Sequence, residues 1–200
     1  MVKKVLALGP GGKLFLKSPD GKLENIPRHA RASVYLLMDC SGSMSGEKLK
    51  QAKNGARSFS VDALAKGYSV GLIQFDSQAE VVCEPQTNIS ITEMGLDKLV
   101  IGGSTNLTES LQLARSRLEA LDGVRAIVVV TDGMPDNRGT ALKTAEEVKS
   151  LGITIIAIGT DDADASFLAE LASQEGFGLK VPQSRLEQVV TSAAKLLPTR

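Results

Sequence analysis

From residue 33 onward, short unbroken apolar runs alternate with longer stretches in which apolar residues recur every three or four positions. Val34-Tyr35-Leu36-Leu37-Met38 has no polar alternation, which predicts a strand covered on both faces, as in the middle of a parallel sheet. Leu49, Ala52, Ala56, Phe59 and Ala63 then mark one helical face, with Ser45 as its expected N-cap. Val70–Phe75 and Glu80–Cys83 read as strands joined by Asp76-Ser77-Gln78-Ala79, short enough for an antiparallel pair. Leu107, Leu111, Ala114, Leu118 and Leu121 give another helix, and Ala126–Val130 is the most strand-like run of the chain. Two further units follow: a helix through Leu142, Ala145, Val148 and Leu151, ending near Gly152, with the strand Ile153–Ile158; and a helix carrying Phe167, Leu168 and Leu171, with a strand around Leu179–Val181. A last helix carries Leu186, Val189, Val190, Ala193 and Leu196. This alternation predicts an α/β sheet with helices on both faces.

Residues 1–31 follow a different pattern. Lys13–Lys17 and Lys22–Ile26 predict two short strands around Ser18-Pro19-Asp20-Gly21, and Pro27 to Ala32 forms a connector that includes His29. The expected organisation is an N-terminal basic β-hairpin extension over 1–31 and a main domain over 32–200. Charge supports the division. The whole chain of 200 residues balances 23 Lys or Arg against 23 Asp or Glu, yet residues 1–31 hold seven basic residues and two acids, so a basic arm precedes an acidic body. The arm's apolar Leu14, Leu16, Leu23 and Ile26, with Phe15 as its one aromatic, favour docking on the body over stacking of bases.

Net neutrality argues against bulk attraction to nucleic acid or an anionic membrane. One His and two Cys cannot furnish a four-ligand zinc site or an iron–sulfur cluster. The apolar run after Lys3-Lys4 stops at Gly9-Pro10, too short for a signal sequence, and no strand-type run approaches the roughly 18 residues of a membrane span. A cytoplasmic protein with reduced thiols is the expectation, with Cys40 facing the core.

In open parallel sheets ligands bind beyond the carboxyl ends of the strands. Three segments there carry oxygen donors: Asp39-Cys40-Ser41-Gly42-Ser43, Gly102-Gly103-Ser104-Thr105-Asn106, and Thr131-Asp132-Gly133. The two carboxylates and three hydroxyls of Asp39, Ser41, Ser43, Thr105 and Asp132 suit a hard cation, because Mg²⁺ takes oxygen ligands and retains water. The glycines at 42, 102, 103 and 133 are expected to supply backbone conformations that other residues resist. Neutral hydroxyls leave the cation's charge poorly neutralised, so the site would gain from a carboxylate brought by a second molecule.

Asp39-x-Ser41-x-Ser43, Thr105 behind a Gly-Gly pair and Asp132 in Thr-Asp-Gly resemble the metal-ion-dependent adhesion site of von Willebrand factor A domains, in the same chain order and over roughly residues 32–198. The resemblance implies a Rossmann-like three-layer sandwich: a six-stranded, mostly parallel sheet with one antiparallel edge strand. It also implies Mg²⁺ or Mn²⁺ at the top of the sheet, with Ser41, Ser43 and Thr105 as direct ligands and Asp39 and Asp132 acting directly or through water. A partner protein's Glu or Asp would complete the shell, and ligand binding can couple to movement of the last helix, about 183–197. Intracellular members often work beside AAA+ ATPases or in multiprotein assemblies, which makes such a partner an expectation here. Ser45-Gly46 stand where integrin β-type members have an acidic pair, which argues for one metal.

Simpler roles compete for several of these residues. Asp39 and Ser43 can cap the following helix, Asp132 can cap a turn, Asp136 with Asn137 can start the helix through Leu142, and Asp161, Asp162 and Asp164 can serve the helix before Phe167. Met44, Ser45, Asn106, Met134 and Asp136 surround the expected metal and are candidates for setting specificity. The rival function is a Mg²⁺-dependent phosphohydrolase or phosphotransferase with Asp39 as nucleophile. Haloacid dehalogenase-like phosphatases have a second Asp two residues later, where Ser41 stands, and no neighbouring His or Lys is evident as an acid–base partner. The glycine clusters lack P-loop and dinucleotide spacing. The reading is therefore a non-enzymatic, metal-dependent protein-binding module.

Overall fold

The computed structural model describes residues 32–160 and 162–199, and the backbone of residues 5–8, 14–17 and 23–25. The chain divides into two units, 1–31 and 32–200. In the first, β1 (Val5–Leu8), β2 (Leu14–Lys17) and β3 (Leu23–Asn25) form an antiparallel sheet in that order. The expected hairpin is the β2–β3 pair, with Phe15 opposite Asn25, and β1 adds a strand beyond the two expected. The expected turn at 18–21, His29 and Asp161 lie outside the described residues.

The second unit is built on six strands: β4 (Ala32–Asp39), β5 (Tyr68–Phe75), β6 (Ala79–Gln86), β7 (Arg125–Thr131), β8 (Thr154–Thr160) and β9 (Gly178–Val181). Their order is β6-β5-β4-β7-β8-β9, parallel throughout except for β5 with β6, as expected from the short Asp76–Gln78 connection. Central β4 explains its own composition. All eight of its residues are buried. Val34, Leu36 and Met38 face one core while Tyr35 and Leu37 face the other, the period-two alternation of a strand with both faces covered.

One face carries α1 (Glu47–Ala65), α2 (Ile89–Lys98) and α6 (Leu186–Ser192), and the other α3 (Leu107–Glu119), α4 (Arg138–Ser150) and α5 (Ala165–Leu171). Leu107, Leu111, Ala114 and Leu118 are buried as their spacing predicts. Each such Leu contributes about 1.5–3 kcal/mol on leaving water. Side-chain oxygens of Asn88, Asn106, Asn137 and Asp164 cap α2 to α5 by accepting backbone N–H bonds. Gly67 and Gly152, at φ 81° and 71°, let the chain turn out of α1 and α4.

Two expectations change. α2 was not foreseen, because Ile91 and Met94 point outward and spoil the helical periodicity that Thr92 and Leu96 would otherwise show. Ser45 does not cap α1. Gly46 stands at that position with φ 77°, while the Ser45 N–H closes a 3-10 turn over Gly42–Met44 by donating to the Gly42 carbonyl. Among the described residues, no helix is long and apolar enough to cross a membrane.

Candidate metal centre

Asp39 ends β4 and Thr131 ends β7, so strand register sets both at the carboxyl edge of the sheet. Asp39 is completely buried. Its Oδ1 accepts the Ser41 N–H at 2.8 Å, and its Oδ2 accepts the Thr131 hydroxyl at 2.5 Å. The Ser41 and Ser43 hydroxyl oxygens are 3.2 Å apart, and the Ser43 hydroxyl donates to Asp132 Oδ1 at 2.8 Å. A continuous polar row thus runs from Asp39 through Ser41 and Ser43 to Asp132, its last link joining residues 89 positions apart. Burial pushes the Asp39 carboxyl up, the Ser41 and Thr131 hydrogen bonds pull it down, and the charge of Asp132 raises it further.

The Gly102–Thr105 loop reaches the same edge by backbone pairing. Gly102 N–H donates to the Cys40 carbonyl at 2.7 Å, and Gly42 N–H to the Gly103 carbonyl at 3.0 Å. The Asp136 carboxylate grips that loop, accepting Thr105 N–H at 3.0 Å and the Ser104 hydroxyl at 2.9 Å. No hydrogen bond among the described residues engages the Thr105 hydroxyl. Helix α4 is capped by Asn137 alone, so Asp136 ties the second and third segments together instead of starting a helix.

Close packing requires glycine at Gly102 and Gly103 but not at Gly42 or Gly133, where a Cβ would meet nothing nearer than 3.9 Å, and unusual dihedrals explain none of the four. None of Gly42, Gly102, Gly103 and Gly133 has a positive φ. A Cβ on Gly102 would lie 1.8 Å from Asp76 Oδ2, and one on Gly103 2.3 Å from Ser77 Oγ. The β5–β6 connection therefore packs directly against the Gly-Gly pair.

Asp39 and Asp132 are both fully buried, and both belong to a row otherwise made of hydroxyls. Lys48, in the first turn of α1, sets its Nζ 2.5 Å from Asp132 Oδ2. Two buried carboxylates against one ammonium leave an excess negative charge, which favours uptake of a cation. An oxygen-only donor set with neutral hydroxyls suits a hard divalent ion. The five residues therefore fit a metal of that class.

The model of the von Willebrand factor type A domain matches residues 33–192. The chain belongs to this family. A UPF0353 protein of Nocardia farcinica is 29% identical over 188 residues, covering 80% of this chain and 54% of that protein. The chain thus spans about half the length of the curated relatives it matches. The von Willebrand factor domain of the type V pili tip protein Mfa5 from Porphyromonas gingivalis superposes with a TM-score of 0.75 at 14% identity, covering 84% of this chain and 95% of that one. Proximal thread matrix protein 1 from the mussel byssus, solved with a zinc-occupied MIDAS motif, gives a TM-score of 0.72 at 18% identity over 84% of this chain and 46% of that one.

Within this von Willebrand factor A fold, several residues around the site escaped the sequence reading. Thr131 and Asp76 lie within the Thr131-Asp132-Gly133 segment and the β5–β6 connection, and Lys48, a base in a helix's first turn where acids are favoured, stands at the centre where the sequence pointed to no neighbouring His or Lys. Other surroundings are committed elsewhere. Met44 is fully buried and Asn106 caps α3, so Ser45 and the 42%-exposed Met134 are the specificity candidates left open to a ligand. Cys40 is buried, and burial beside Asp39 pushes its thiol up to about 12, which makes it inert at neutral pH. Asp164 caps α5, as one of the simpler roles anticipated.

Proposed function

We propose that this chain is a metal-dependent protein-binding module in which Asp39, Ser41, Ser43, Thr105 and Asp132 hold Mg²⁺ or Mn²⁺. The carrying observation is the polar row Asp39–Ser41–Ser43–Asp132 at one sheet edge, with the Thr105 loop hydrogen-bonded beside it. When bound, the cation supplies an electrophilic centre that takes a carboxylate oxygen from a partner protein's Glu or Asp. Asp39 fixes the turn by binding Ser41 N–H and Thr131, which sets the Ser41 hydroxyl beside that of Ser43, whose hydroxyl donates to Asp132. Asp136 holds the Thr105 backbone and leaves its hydroxyl uncommitted. Ser45 and Met134 border the partner's approach.

The phosphohydrolase alternative is disfavoured by the same geometry. A nucleophilic carboxylate must reach its substrate, whereas Asp39 has no exposed surface and both its oxygens accept hydrogen bonds. The zinc-occupied MIDAS of the byssus protein supports metal binding as chemistry available to the fold. Calorimetric titration of metal-stripped protein with Mg²⁺ and Mn²⁺ is the test, followed by a Glu-containing peptide. One saturable site, lost in Asp39→Ala and Thr105→Ala, is expected. Absence of saturable binding by the folded wild type overturns the reading.

A further inference from the structure

Lys48 occupies an unfavourable place on its own helix. It sits in the first turn of α1, where the positive end of the helix dipole repels an ammonium. Its side chain is 16% exposed and reaches the fully buried Asp132, with Nζ 2.5 Å from Oδ2 and 3.6 Å from Oδ2 of the exposed Asp162. The Ser43 hydroxyl holds the other Asp132 oxygen. One carboxylate of the candidate metal centre is therefore shared between a hydroxyl donor and an ammonium. The contact spans 84 positions, so it is tertiary structure that brings the ammonium there.

We propose that Lys48 sets the charge of this centre, weakening its hold on the divalent cation and strengthening the loaded centre's attraction for a carboxylate ligand. The inference rests on the metal-binding reading above. The charge balance carries it. Asp39, Asp132 and Asp162 contribute carboxylates to the centre and its rim, and Lys48 offsets one of their charges, so a centre loaded with a divalent cation is one unit more positive with Lys48 than without it. A like charge this close to a buried site opposes the metal and favours the anion, and both effects are large where the dielectric is low. Asp162 offers the ammonium a second acid at the rim of the same centre. The ligand class selected is a monoanionic carboxylate, as on an acidic side chain of a partner protein.

The two effects run in opposite directions, which separates this role from a merely structural one. In Lys48→Met, calorimetry with Mn²⁺ is expected to show an affinity at least about tenfold higher than wild type. Acetate binding to the Mn²⁺-loaded protein, followed by paramagnetic broadening of the acetate methyl resonance, is expected to be at least about threefold weaker. Lys48→Arg keeps the charge and is expected to stay near wild type in both measurements. Circular dichroism melts with and without Mn²⁺ establish that each variant is folded, and the metal-induced rise in Tm is expected to be largest for Lys48→Met. Equal or weaker Mn²⁺ affinity in folded Lys48→Met, or equal acetate affinity, overturns the role of Lys48 and leaves the metal site standing. Failure of wild type and both variants alike to bind Mn²⁺ overturns the metal reading and this inference together.

Discussion

A methyl group added at Gly102 measures how tightly the Thr105 loop is held against the rest of the centre. The ideal Cβ would lie 1.8 Å from Asp76 Oδ2, 2.3 Å from its Cγ and 2.8 Å from its Cβ. Turning the Asp76 side chain relieves the first two contacts but not the third, and carbon atoms pack comfortably only at about 3.5–4.0 Å. The missing distance, close to 1 Å, must come from backbone. Both backbones are tethered: Gly102 N–H bonds Cys40 O, and Asn106 N–H bonds Asp76 O, each at 2.7 Å. Gly102 does not need a positive φ, so the cost of Gly102→Ala is steric alone. Overpacking of this kind costs about 1–3 kcal/mol, a fall in Tm of roughly 3–10 °C for a chain of this size. The assay is scanning calorimetry of a double-mutant cycle with Asp76→Gly, which deletes all three clashing atoms. Gly102→Ala is expected to be at least about 1 kcal/mol less costly in that background. An equal loss in both backgrounds, or no loss in either, refutes the argument that Asp76 is why glycine stands at 102.

Gly55 lies inside α1, where Ala would normally stabilise by about 1 kcal/mol; here its Cβ would meet Val190 Cβ at 2.7 Å and the Glu187 carbonyl at 2.8 Å. Gly55→Ala is therefore expected to lower Tm, while the exposed Ser58→Ala on the same helix leaves it level or slightly raised. Thr160 ends β8 with its hydroxyl buried and without a hydrogen-bond partner among the described residues. The isosteric Thr160→Val is expected to stabilise by about 1 kcal/mol, read as a higher urea midpoint at unchanged m. The Ser166 hydroxyl and Phe167 N–H hold the Asp164 carboxyl below the usual carboxylate range. A depressed folded pKa stabilises above the unfolded value and loses that contribution as pH falls, so the Tm gap between wild type and Asp164→Ala should be full at pH 7 and narrow below about pH 4.

Much of this molecule was legible in local pattern. The unbroken apolar run of β4, the three-and-four spacing of α3 and the short β5–β6 connection each carry their conformation in consecutive residues, because helix and strand periodicities are local. The candidate ligands were legible for a related reason: residues beyond the ends of parallel strands converge whatever the rest of the chain does. α2 was not legible, since its outward Ile91 and Met94 disguise the buried face that Leu96 supplies.

What needed the tertiary structure are the relations between segments. Strand order and register bring Thr131 to Asp39 across 92 positions, and α1's docking brings Lys48 to Asp132. The same packing shows why glycine stands at 102 and 103, where the Asp76-Ser77 turn leaves no room for a side chain. It also gives Asp136 its role as a clamp on the Thr105 loop. The sequence by itself determined which elements form and which oxygens sit at the carboxyl edge. Only the folded chain decided which charges and hydroxyls touch, because a contact between distant residues depends on the packing of every element between them.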